Sequence, residues 1–118
     1  MTRPVHFEIL TDDPQKTIEF YEKIFGWKFQ KWNGPMNYWM IMTGEGPGID
    51  GGMAMKAETR VPPCNTIDVD DVDRYIEMVS LNGGEIVAPK MEIPGVGFLA
   101  YMKDPEGTLW GLMQDTTR

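Results

Sequence analysis

The sequence predicts an α+β fold in which two βαβββ modules form one domain with a concave sheet cleft. Three observations predict it. A length of 118 residues is that of one compact domain. Extended runs and amphipathic helices follow the same order twice. The chain also matches itself when slid by 58 positions, pairing Ile9 with Ile67, Asp12 with Asp70, Asp13 with Asp71, Ile18 with Ile76, Glu19 with Glu77 and Gly26 with Gly84. These identities fall on strand, cap, helix and stop, which marks an internal repeat of one supersecondary unit.

Each element has a local cause. Residues 5–10 alternate apolar and polar, the period of a strand with two different faces. Asp12-Asp13-Pro14 supplies a capping acid and a proline suited to the first helical turn. Ile18, Tyr21, Ile24 and Phe25 then recur at helical spacing until Gly26 stops the helix. Extended runs at 27–33, 37–43 and 51–57 are divided by Asn33-Gly34-Pro35 and by the glycine-rich turn 44–48. The order repeats with a strand at 64–69 and a helix from Asp71 that turns Val72, Ile76 and Val79 inward and stops at Asn82-Gly83-Gly84. Strands at 85–89, 97–103 and 108–114 follow. The repeats span about 3–57 and 62–116 within a single domain, 1–118. In the later strands the offset reads as 60, pairing Gly51 with Gly111 and Met53 with Met113.

Composition narrows the partners. Eighteen acidic residues against eleven Lys and Arg give a net charge of −7. Such a chain is repelled by phosphate backbones and anionic lipid, so neither nucleic acid nor a membrane is expected as a partner. No apolar run approaches the roughly 20 residues of a membrane helix, and the start carries no apolar leader. Cys64 is the sole cysteine, which suits a reducing, cytoplasmic setting and excludes an internal disulfide. His6 is the sole histidine, so metal sites needing two from one chain are excluded.

Strand alternation nominates a face. With Phe7 and Ile9 against a helix, His6, Glu8 and Leu10 look into the cleft, as do their repeat mates Cys64, Thr66 and Asp68. Met53, Met55, Met113 and Leu109 fall in phase with Gly51 and Gly111, which makes the expected cleft floor apolar and roomy.

The order His6-Phe7-Glu8-Ile9, Asp12-Asp13-Pro14, Phe20-Tyr21 and Phe25-Gly26-Trp27 resembles the first module of the glyoxalase/bleomycin resistance/dioxygenase superfamily, also called the vicinal oxygen chelate (VOC) superfamily. Asp68-Val69-Asp70-Asp71-Val72-Asp73 with Asn82-Gly83-Gly84 resembles the second module's opening. Asp104-Pro105-Glu106-Gly107-Thr108-Leu109 is similar to its closing turn and last strand. The resemblance covers essentially the whole chain. It implies a glyoxalase/bleomycin resistance/dihydroxybiphenyl dioxygenase-like fold, a homodimer, and a cleft for a small molecule. In metal-using members, ligands come from the first and last strands of each module, positions that correspond here to His6, Gly51, Cys64 and Gly111. Glycine has no side-chain donor, so the resemblance implies a site without the family's divalent metal.

The expected ligand-binding residues are therefore His6, Glu8, Gly51, Met53, Cys64, Asp68, Gly111 and Met113, with no metal ligand and no cofactor; a divalent metal would need Glu8 beside His6, in a geometry other than the family's. A binder of a small, partly apolar molecule is one reading. The alternative is a lyase, isomerase or dioxygenase of the same superfamily that uses His6 and Glu8 for acid–base chemistry.

Overall fold

A computed structural model describes residues 2–117. The chain divides into two compact units, His6–Pro63 and a second running from Cys64 onward together with residues 2–5. The first unit carries β1 (Pro4–Thr11, whose first two residues group with the second unit), α1 (Pro14–Phe25), β2 (Lys28–Lys31), β3 (Tyr38–Met42) and β4 (Asp50–Met55). The second carries β5 (Asn65–Asp68), α2 (Val72–Leu81), β6 (Glu85–Ile93), β7 (Gly97–Lys103) and β8 (Leu109–Asp115). Each unit is thus βαβββ.

The two units share one pairing scheme. The first orders its strands β2-β3-β4-β1, with β1 parallel to β4 and the other pairs antiparallel. The second orders them β6-β7-β8-β5, with β5 parallel to β8. A parallel pair needs a crossover longer than a hairpin, and the helix with two further strands supplies it.

The helix ends follow the capping chemistry. Asp13 holds an extended backbone and its carboxylate accepts from the Lys16 amide at 3.2 Å; Asp71 does the same for Arg74 at 3.3 Å. Gly26 closes α1 at φ 73°, a left-handed geometry that glycine adopts without a Cβ penalty.

One core lies under α2, where Val69, Val72, Ala100 and Leu112 are buried and Ile67, Ile76, Val79 and Phe98 pack around them. In the first unit Ile41 and Met53 are fully buried. There Trp27 stacks on Tyr21 of α1 at 5.1 Å and 4°, and meets Phe7 of β1 at 5.6 Å. The indole wedges in just beyond the helix stop, and Ile24 and Phe25, which recur at helical spacing, are both 58% exposed.

The remaining differences from the sequence expectation lie in strand lengths. The run expected as a strand over 51–57 turns into a short 3-10 segment at Lys56–Glu58. β2 is shorter than the expected 27–33, and β6 outlasts 85–89. β6 passes Pro89 by shifting register between Ala88 and Met91, which spares the ladder a donor that proline lacks.

The turn before β8 is built on Asp104. Its Oδ1 accepts from the amides of Thr108 and Glu106, each at 2.9 Å. The Thr108 backbone hydrogen bond is the largest influence and holds the carboxyl below its ordinary value of 3.8. A carboxylate depressed on folding adds stability above its unfolded value and loses it as pH falls through the folded one. Acid titration is therefore expected to show a loss of stability below about pH 4 that Asp104→Asn removes. An unchanged acid limb in urea melts from pH 5 to pH 2 would refute this.

Candidate functional site

Every group of the candidate site comes from the first unit. β1 alternates its faces: Phe7 meets Trp27, and the Thr11 hydroxyl bonds that of Thr17 in α1 at 2.8 Å, so Phe7, Ile9 and Thr11 form the helix-facing side. His6, Glu8 and Leu10 occupy the other side. Parallel pairing puts Glu8 beside Gly52 and Leu10 beside Ala54, and antiparallel pairing puts Tyr38 beside Ala54 and Met40 beside Gly52. His6, Glu8, Leu10, Tyr38, Met40 and Gly52 therefore share one sheet face.

On that face three polar side chains converge. The Tyr38 hydroxyl donates to Glu8 Oε2 at 2.6 Å and lies 3.1 Å from His6 Nε2, which also bonds Glu8 Oε2. One carboxylate oxygen thus accepts two donors, a charge-assisted arrangement that fixes the Glu8 rotamer. The side chains of His6 and Glu8 are 32% and 18% exposed, so the cluster is shielded yet reachable. Tyr38 is itself positioned. Its carbonyl accepts from the Trp32 amide at 2.7 Å, its ring meets the Trp32 ring edge-on at 6.1 Å, and Asn37 before it is held by the Glu58 carboxylate at 2.9 Å.

Gly52 makes this geometry achievable. A Cβ built on Gly52 would overlap the Tyr38 hydroxyl outright. The phenol occupies the volume that any side chain at residue 52 would need.

This register corrects the sequence expectation for two residues. Gly51 pairs with Phe7, and a Cβ on it would lie 2.7 Å from the Phe7 ring, so it faces α1 rather than the His6–Glu8 side. Met53 pairs with Ile9 and is buried on that same helix-facing side. The glycine beside Glu8 is Gly52. In the second unit Thr66 pairs with Gly111, and a Cβ there would sit 3.0 Å from Thr66 Oγ1. Gly52 and Gly111 are 59 apart, so the offset of 60 was one residue too long, and a one-residue slip exchanges the two faces of a strand.

The second-unit candidates occupy the face away from α2. Thr66, Gly111, Asp68 and Met113 lie there in register, opposite the side on which Ile67 and Leu112 pack under the helix. Thr66 and Asp68 are buried, and Cys64, just before β5, is half-buried.

The donor set does not fit the metal that the fold family implies. His6 and Glu8 supply two donors, residue 52 supplies none, and a neutral phenol fills its space. Among the described residues no three of His, Cys, Asp and Glu stand close enough to hold a metal ion. A structural or catalytic divalent site needs three or four protein donors.

Comparison with known proteins agrees with this fold. Residues 3–112 match the Glyoxalase/Bleomycin resistance protein/Dioxygenase superfamily, and the chain belongs to that superfamily. It is 33% identical over 108 residues to a "Glyoxylase-like domain-containing protein" of Didymella fabae, covering 85% of this chain and 84% of that one. It is 30% identical over 117 residues to "Putative glyoxylase CFP32" of Mycobacterium tuberculosis, covering 94% of this chain and 45% of the other. The chain thus spans about half the length of that relative. Among solved structures, hypothetical protein BH1468 from Bacillus halodurans superposes with a TM-score of 0.75 at 14% identity, covering 95% and 93% of the two chains. Methylmalonyl-CoA epimerase from Mycobacterium tuberculosis does so with 0.71 at 15%, covering 93% and 85%. At such identities the likeness is one of fold.

Gly52 is the site residue that the sequence alone did not nominate, and the seating of Tyr38 over it is equally unmarked. The usable signal was the tandem Gly51-Gly52 beside a strand carrying His and Glu, because small residues in a strand mark close approach by another group.

Proposed function

We propose that this chain binds a small, partly apolar molecule on the face shared by β1, β3 and β4, without the divalent metal typical of its superfamily. The observation that carries the reading is the Tyr38 hydroxyl seated over Gly52, filling the space beside Glu8 into which a donor side chain at residue 52 would project. Around the polar triad, Leu10, Met40 and the Trp32 ring supply apolar and aromatic surface, the usual mixture of a small-molecule site. Elemental analysis of tag-free protein after incubation with zinc, nickel, iron and manganese is expected to find no stoichiometric metal. A thermal-shift screen of small aromatic and aliphatic compounds is expected to find stabilising ligands. One tightly held metal per chain would overturn the reading, and so would a screen without a single binder.

A second reading, an enzyme of lyase, isomerase or dioxygenase type, is favoured by the direct contact of an imidazole, a carboxylate and a phenol. Such groups exchange protons with a bound substrate at a cost in rate of about 10²–10⁴-fold when one is removed. Relatives named as glyoxylases support it. His6→Ala is then expected to reduce turnover by that factor with the fold intact; unchanged turnover would exclude it.

A further inference from the structure

We infer that the polar end of the bound molecule is an organic ammonium ion, recognised by Glu8 beside the Tyr38 ring. This inference rests on the small-molecule reading above and adds the chemical class of the ligand.

The argument begins with the two oxygens of Glu8. Both of its donors among the described residues, His6 Nε2 and the Tyr38 hydroxyl, bond the same atom, Oε2. Among the described residues Oε1 has no hydrogen-bond partner, and it is not sealed from solvent, since no unsatisfied side-chain oxygen is buried. The carboxylate is therefore held rigidly through one oxygen and offers the other as an oriented anionic acceptor. A ligand that donates to Oε1 completes its hydrogen bonding; a carboxylate or phosphate placed there would meet like charge.

The neighbourhood favours a cation for the same reason. Asp50, in register with His6, adds a further negative charge at the end of the sheet face, where its carboxylate accepts from Thr43, and the chain as a whole carries −7. Lys28, in register with Met42 at the far edge of β2, lies two strands from β4. The Tyr38 ring stands next to Glu8 and meets the Trp32 ring edge-on at 6.1 Å, and an ammonium group beside a carboxylate is also drawn to an aromatic face. Gly52 makes the arrangement a built one, since any side chain there would dislodge Tyr38 from Glu8.

Benzylammonium, benzyl alcohol and benzoate share one apolar body and differ in charge, so calorimetric titration with the three tests the inference. Benzylammonium is expected to bind about tenfold or more tightly than benzyl alcohol, the range of a charge-assisted hydrogen bond, with benzoate weakest. Glu8→Gln is expected to abolish the preference for the cation over the alcohol, reducing the affinity ratio of the two probes to about one. His6 is the sole histidine, so its ring-proton signals report on the site in the unmodified protein, and they are expected to shift with benzylammonium. Benzoate binding as tightly as the cation, a preference that survives in Glu8→Gln, or no movement of the His6 signals would each overturn the inference. Equal binding of alcohol and cation would sink the ammonium assignment and leave the small-molecule reading standing. Failure of all three probes, together with an empty thermal-shift screen, would sink both.

Discussion

Gly52→Val is expected to abolish ligand binding and to destabilise the protein by about 2 kcal/mol, the cost of overpacking together with the lost hydrogen bonds of Tyr38. The valine needs the volume now filled by the phenol, and Tyr38 is held from behind by Trp32 and by the Asn37–Glu58 contact. It cannot step aside without breaking its bonds to Glu8 and His6. Titration against wild-type ligands and urea unfolding read the two effects separately. A variant that binds as well as wild type would show that Tyr38 does not need its present seat.

Met53→Ala is expected to behave in the opposite way, lowering stability by about 2–5 kcal/mol with little change in affinity. The side chain is fully buried on the helix-facing side of β4, next in sequence to a residue that borders the site. Against a total stability of about 5–15 kcal/mol such a loss is large, so unfolding midpoints measure it readily. Weakened ligand binding with unchanged stability would mean that Met53 lines the site after all. The two substitutions, one residue apart, thus test which face of β4 carries function.

Much of this fold could be read from residues alone. Asp13-Pro14 and Gly26 fix the first helix by capping chemistry, Asp71 repeats the start, and the alternation of β1 sorted His6 and Glu8 from Phe7 and Ile9. These are local effects, and local effects are written locally. The face of β4 was not legible. Asp50-Gly51-Gly52-Met53 offers two consecutive residues with no side chain to mark inside or outside, and methionine suits either side, so only hydrogen-bond register with β1 decides. The contact of Tyr38 with Glu8 and His6 has no local signature, because those partners lie 30 and 32 residues away. Ile24 and Phe25 have helical spacing, but spacing does not reveal that Trp27 has taken the inward place.

The seat of Tyr38 over Gly52 also makes the two positions mutually exclusive: a side chain at 52 and a phenol seated at 38 compete for one volume. Effects at the two positions should therefore be strongly non-additive, with Gly52→Ala costly in the present background and mild once Tyr38→Leu has emptied the seat.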